Sequence, residues 1–302
     1  MSKVSSLKSF KYRLMDKWMY FKRHFVNPEK VIRRSFKERM GYEPNLENPI
    51  TYSEKLQWLK LYDHNPLYTT LVDKYAVKQY VGERIGFEYI IKTLGVWDKF
   101  DKIDFASLPN QFVLKCTHDS GGLVICKDKT KLDIEAARKT INKCLKHNFY
   151  YSGFEWPYKN VKPRIIAEEY MEDTKTKELR DYKFFCFDGK VKFLFIATER
   201  QKEGEDVKFD FFDKDFNHLP FCQGHENAPI LPEKPLRFED MKVLAEKLSA
   251  GIPQVRVDLY EVDGCIYFGE MTFFHHGGWT RFDPEEWDTI FGKEIHLPNK
   301  RV

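Results

Sequence analysis

The sequence predicts an α+β fold of antiparallel sheets with interspersed helices, on three observations. Two Asp-Gly pairs, Asp188-Gly189 and Asp263-Gly264, each sit between apolar runs, the signal of a two-residue hairpin. Strand-like runs cover 164–171, 182–187, 190–197, 207–212, 255–262 and 265–271. Antiparallel hairpins with helices interspersed among the strands argue against a doubly wound parallel sheet.

At the N-terminus, Leu7, Phe10, Leu14, Trp18, Phe21 and Phe25 recur at three- and four-residue spacing, one face of a helix. Lys3, Lys8, Lys11, Lys17 and Lys22 take other positions on it. Such a segment suits peripheral contact of residues 1–40 with a membrane surface. It equally suits docking on the protein's own core or on a second subunit. A helix follows from Thr51 or Ser53 as N-cap, carrying Leu56, Trp58 and Leu59, and is broken by Asn65-Pro66. A second helix is expected over 68–84, stopped by Gly86. Residues 111–115 read as a strand, Thr117 to Gly122 as a turn-rich loop, 123–126 as another strand, and 133–148 as a helix. The expected organisation is a basic helical segment (1–50), a helical region (51–106), a smaller lobe (107–168) and a larger lobe (169–302).

The chain has 302 residues, 42% apolar and 32% charged, enough for roughly two domains' worth of core. Residues 1–40 hold 12 basic and 3 acidic side chains, so the other 262 hold 38 basic and 43 acidic. An acidic body disfavours nucleic acid as a partner, because phosphate neutralisation needs a basic face. With no secretory pattern in the sequence, the expected location is cytoplasmic, with the inner membrane face open through residues 1–40. The six cysteines are scattered without a Cys-x-x-Cys pair, and read as reduced, mostly buried thiols.

Four stretches carry chemistry. Lys115 ends a strand beside the loop containing His118, Ser120, Gly121 and Gly122, where an ammonium and close-approaching backbone N–H groups can hold phosphates. Asp73-Lys74, with Lys78, lies about forty residues upstream and offers a second cation. Glu168-Glu169-Tyr170-Met171 closes an apolar strand able to present an edge to a purine. Finally, pairing about the 263–264 turn sets Asp258 opposite 269–270, so Asp258, Glu270 and Thr272 converge near Arg256. Two carboxylates and a hydroxyl suit Mg²⁺, although a cross-strand Arg–Glu ion pair is also compatible with that pattern.

In this order the four stretches resemble the ATP-grasp superfamily, and most closely its TupA-like branch. The resemblance is carried by Thr51-Tyr52-Ser53-Glu54-Lys55-Leu56-Gln57-Trp58-Leu59-Lys60, by Asp73-Lys74-Tyr75-Ala76-Val77-Lys78 and by Phe268-Gly269-Glu270-Met271-Thr272-Phe273, and covers roughly residues 35–299. It implies two α+β lobes closing over ATP and Mg²⁺. Lys74 and Lys115 would contact phosphates under the 117–122 loop. Glu168 to Met171 would take the adenine edge, with Asp181 or Lys183 near the ribose or phosphates. Asp258, Glu270 and Thr272 would hold the metal, and Arg256 would steady an oxyanion. Thr272 stands where many relatives have Asn, so its hydroxyl replaces an amide oxygen.

The resemblance implies an ATP-dependent carboxylate–amine ligase, joining an amino acid or amino sugar to a uronic-acid-containing surface polysaccharide or its precursor. Sugar phosphorylation, glycosyl transfer and a non-catalytic nucleotide-binding subunit remain alternatives, although no nucleotide-sugar half domain is read in support of glycosyl transfer. Directly after the metal strand, His275-His276-Gly277-Gly278-Trp279 is expected at the acceptor site, where His275 or His276 could take a proton from an incoming ammonium.

Overall fold

A computed structural model describes residues 27–119, 121–174, 179–198 and 206–302; the aromatic stripe of residues 7–25 and Ser120 lie outside these. The described chain begins with α1 (Pro28–Met40), capped by the Asn27 side chain and ended by Gly41 at φ 86°. Helix α2 (Tyr52–Tyr62) starts with a complete capping box. The Thr51 hydroxyl accepts from Glu54 N at 3.2 Å, and the Glu54 carboxylate accepts from Thr51 N at 3.2 Å. Thr51→Ala is therefore expected to cost about 1 kcal/mol, read as a lower urea midpoint at unchanged slope.

The helix expected over 68–84 is two helices, α3 (Leu67–Val72) and α4 (Val77–Ile85). Asp73 interrupts it. Its carboxylate accepts from Tyr75 N at 2.9 Å and Ala76 N at 3.2 Å, giving the backbone a local alternative to the helix, and also pairs with Arg164 at 2.5 Å. The region 51–106 is not wholly helical either. It contributes β1 (Thr93–Trp97), which joins β2 (Phe112–Cys116), β3 (Leu123–Cys126) and β4 (Ile165–Glu169) in an antiparallel sheet of order β1-β4-β2-β3. The smaller lobe thus begins before residue 107. Helix α5 (Ile134–Leu145) covers this sheet, packing Ala137, Ile141 and Cys144 on Phe112, Leu114 and Ala167. The short helix α6 (Tyr150–Gly153) and the single turn Trp156–Tyr158 lead back to β4.

The larger lobe is built on β5 (Asp181–Phe187), β6 (Lys190–Thr198), β7 (Lys208–Asp213), β8 (His218–Leu219), β10 (Gln254–Val262) and β11 (Cys265–Thr272). These form an antiparallel sheet of order β11-β10-β5-β6-β7-β8. The pair β9 (Cys222–Gln223) and β12 (Phe282–Asp283) stands apart from it. Both Asp-Gly hairpins form, with positive φ at Asp188, Gly189, Asp263 and Gly264, as a twisted two-residue turn requires. Helix α7 (Phe238–Ser249) packs on one face, where Phe184 meets Phe238. On the other face α2 and α8 (Glu286–Lys293) bring Tyr52 and Phe291 edge-on to Phe185. Four cysteines are buried, Cys222 is half-buried and Cys265 exposed, all as free thiols. No helix among the described residues is long and apolar enough to cross a membrane.

One irregularity positions the site. Arg256 pairs with Thr272 and Asp258 with Glu270, but Leu259 pairs with Phe268, so Gly269 is an extra residue in β11. This bulge lets Glu270 reach the cleft while Phe268 stays in the core. A Cβ at Gly269 would lie 3.0 Å from both the Asp258 carbonyl and the Tyr260 ring, which is why glycine fits there.

Candidate active site

Strands β5, β10 and β11 place Lys183, Asp258 and Glu270 side by side, because the registers Asp258↔Lys183 and Asp258↔Glu270 meet on one strand. Asp258 is fully buried. The Arg256 guanidinium grips both of its oxygens, at 2.7 and 2.8 Å, and Lys183 bonds one of them. Lys183 also reaches Asp181 at 3.1 Å. Arg256 donates further to the Thr272 hydroxyl at 3.0 Å and to His275 Nδ1 at 2.7 Å. These carboxylates raise the Arg256 pKa despite its burial.

Glu270 differs from Asp258 in exposure, with 40% of its side chain open. Enclosure by the protein would raise its pKa, but Lys74, Lys183, Arg256 and Lys115 together hold it at about 2. Mg²⁺ typically takes one or two carboxylates and completes its shell with substrate phosphates and water. Glu270 and the Thr272 hydroxyl fit that demand, while Asp258 has both oxygens engaged by cations and contributes charge from behind. Among the described residues no group of three His, Cys, Asp or Glu side chains could hold a metal ion, so phosphates would have to complete the shell.

A cavity of about 260 Å³ lies between the two sheets, lined from the smaller by Val113, Lys115, Leu123, Ile125 and Glu168, and from the larger by Ala197 and Tyr260. Glu169, Tyr170 and Met171 form its rim where β4 ends. A narrow gap lined by Lys74, Lys78, Lys115 and Glu168 adjoins it and reaches Gly269, next to Glu270. The space thus runs from apolar walls, past three lysines, to a carboxylate. Lys74 bonds the Asp119 carbonyl at 2.8 Å and lies 3.8 Å from Glu270, tying the glycine loop to the larger lobe.

Several side chains take parts other than those expected. The Glu168 carboxylate lies between two lysines. Lys115 at 2.7 Å and Lys78 at 2.5 Å clamp it, and their charges outweigh burial and lower its pKa. Tyr170 turns its hydroxyl to Glu172 at 2.5 Å. The His118 ring faces away from the loop, bonded through Nε2 to the carbonyls of Cys144 and His147, so it anchors the loop from behind. Gly122 is buried just before β3, its carbonyl accepting from Cys116 N, whereas Gly121 is exposed.

His275 is buried between Phe185 and Phe195 and accepts from Arg256. Burial, His276 and Arg256 push its pKa well below the usual range. That bond fixes one side of the Arg256 guanidinium. His276 keeps an exposed edge over Phe209, with its pKa lowered to about 4 by desolvation, Arg256 and His225, which makes it a weak base. The sequence reading named Lys78 without assigning it a site, and missed the cavity walls Tyr260 and Ala197. Facing a cleft across two sheets leaves no local sequence signal.

The family model for TupA-like ATPgrasp matches residues 54–296. The chain belongs to the TupA-like ATP-grasp family. Two solved structures to which this TupA-like chain is similar are the ATP-grasp ligase PsnB complexed with minimal precursor, Mg and ADP, and D-alanine–D-alanine ligase from Helicobacter pylori. PsnB is 13% identical with a TM-score of 0.40, over 73% of this chain and 57% of PsnB. The Helicobacter enzyme is 15% identical with a TM-score of 0.37, over 76% of this chain and 61% of the other. The TupA-like chain therefore spans less than two thirds of either. No curated protein matches it.

Proposed function

We propose that this protein is an ATP- and Mg²⁺-dependent carboxylate–amine ligase that joins an amino acid or amino sugar to a uronic-acid-containing polysaccharide or precursor. The observation that carries the reading is the apolar cavity with the adjoining gap lined by Lys115, Lys78 and Lys74, which reaches Gly269, next in the chain to Glu270 with Arg256 3.6 Å from its carboxylate. Adenine would occupy the apolar part and the phosphates the lysine-lined part. When bound at Glu270, Mg²⁺ would neutralise phosphate charge during transfer. Lys74 and Lys115 would share that neutralisation and hold the phosphates in line. The substrate carboxylate would take the γ-phosphoryl group, giving an acylphosphate with a good leaving group. Four hydrogen bonds fix the Arg256 guanidinium, leaving one of its five N–H groups to meet the oxyanion formed when the amine attacks.

The deciding assay incubates the protein with ATP, Mg²⁺ and panels of uronic acids and amines, following nucleotide and product together. ADP, free phosphate and an amide support the ligase. ADP with a phosphorylated sugar replaces it with a kinase, and a nucleoside diphosphate released from a sugar nucleotide replaces it with glycosyl transfer. Lys115→Ala and Lys74→Ala are each expected to weaken ATP binding roughly 10–100-fold by calorimetry, the worth of a charge-assisted contact. Unchanged affinity in both would remove the nucleotide-site assignment.

A further inference from the structure

The run of residues 51–60 carries part of the family resemblance, yet none of it lines the cavity or the lysine gap, so its buried polar side chains need another account. On α2, Gln57 and Lys60 stand three residues apart on one face and are 0% and 2% exposed. The Gln57 amide donates to the carbonyls of Gly278 at 2.9 Å, Gly277 at 3.1 Å and Ser53 at 3.2 Å. Lys60 donates to the same Gly277 carbonyl at 2.6 Å and to Gln57 Oε1 at 3.0 Å, with its ammonium 3.8 Å over the Trp279 ring. Packing alone would be served by two apolar side chains, since burying a cation is costly.

What they grip is a turn of unfavourable shape. His276, Gly277 and Gly278 have φ of 49°, 64° and 68°, all left-handed. A residue with a Cβ keeps that form only where its surroundings impose it. Within the turn, Gly277 N donates to the Phe274 carbonyl and Trp279 N to that of His276. Further hold comes from α2, against which the turn lies directly: a Cβ at Gly278 would be 2.5 Å from Gln57 Nε2 and 3.0 Å from Leu56 Cβ. His275 heads this turn, and its Nδ1 accepts from Arg256 at 2.7 Å. Arginine only donates, so the His275 proton sits on Nε2. On the ligase reading, we propose that Gln57 and Lys60 are positioning residues. They hold the Gly277 and Gly278 carbonyls, so that the turn keeps His275 against Arg256 and the guanidinium stays aimed at the oxyanion. Their effect on the reaction passes through the turn alone.

The test uses the full chain labelled with ¹⁵N-histidine, in ADP and Mg²⁺, and the near-isosteric variants Gln57→Met and Lys60→Met. The ring signals of His275 are identified as those lost in His275→Asn. In the parent they should report the Nε2–H tautomer alone, and a proton on Nδ1 overturns the proposal before any variant is made. In each variant they should move toward exchange between the two tautomers, with ADP affinity unchanged. On the substrates that the ligase assay selects, each variant should lower kcat about tenfold at unchanged KM for ATP. The double variant should lose no more than the worse single one, because both act through one turn. Lys60→Met exchanges a buried cation for an apolar chain of similar volume, a change that is often neutral for stability, so it keeps the test decisive if Gln57→Met fails to fold. Parent-like His275 signals and kcat in the folded variants overturn the proposal, whatever happens to their melting temperatures. If the parent yields no amide, the ligase reading falls, while the His275 signals still decide whether α2 holds the turn.

Discussion

Glu270→Gln is expected to lower Mg²⁺-dependent turnover about 10³-fold, whereas Thr272→Ala should cost only about five- to tenfold. The difference follows from charge and availability. Glu270 is ionised at any pH above about 2 and opens toward the cleft, while Asp258 across the strand is occupied by Arg256 and Lys183. The isosteric amide keeps the shape and loses the charge that attracts the metal. Thr272 offers a neutral hydroxyl already shared with Arg256 and Glu270. Steady-state rates across a Mg²⁺ titration check this, and excess Mg²⁺ should partly rescue Glu270→Gln. If Thr272→Ala proves the more damaging, the hydroxyl acts on substrate and the metal assignment is wrong.

Arg256→Met should abolish turnover and also destabilise the fold by about 3 kcal/mol, because it leaves the fully buried Asp258 carboxylate with Lys183 as its one remaining cation. The double variant Arg256→Met/Asp258→Leu removes both charges and should recover most of that stability without activity. Arg256→Lys should not substitute, since an ammonium cannot grip both Asp258 oxygens and also reach His275 and Thr272. Thermal melts and turnover of the three variants separate the two roles of the arginine. A single variant melting within about 2 °C of the parent would show that the pair carries little of the fold.

The hairpins were legible because an Asp-Gly turn sets its own register. The 263–264 turn alone placed Asp258 against 269–270, and the structure pairs it with Glu270. Lys115 was legible as the end of a strand beside a glycine loop. Strand β1 was not, since Thr93–Trp97 is half-buried throughout, carries Gly95 and shows no alternation. The break at Asp73 was hidden because the apolar pattern runs on through it, and only the carboxylate's bonds to Tyr75, Ala76 and Arg164 stop the helix. The clamp on Glu168 was hidden for a related reason. Its partners Lys78 and Lys115 arrive from α4 and β2, and no local pattern reports a clamp assembled from two distant elements.

Gly269 acts as a phase shift in β11. Along an unbroken strand, Ile266, Phe268, Glu270 and Thr272 would all face one way, so one side of the sheet would have to be both oily and ionic. The extra residue resets the alternation: Ile266 and Phe268 are counted from one origin, Glu270 and Thr272 from another. The two halves of the strand can then drift independently in sequence, one under the rules of packing and the other under the rules of chemistry. Only the count of residues between them is fixed. Losing one residue there would turn Glu270 into the oily layer or lift Phe268 into the cleft. For this stretch, chain length rather than any single side chain is the conserved quantity to look for as more members of the family are compared.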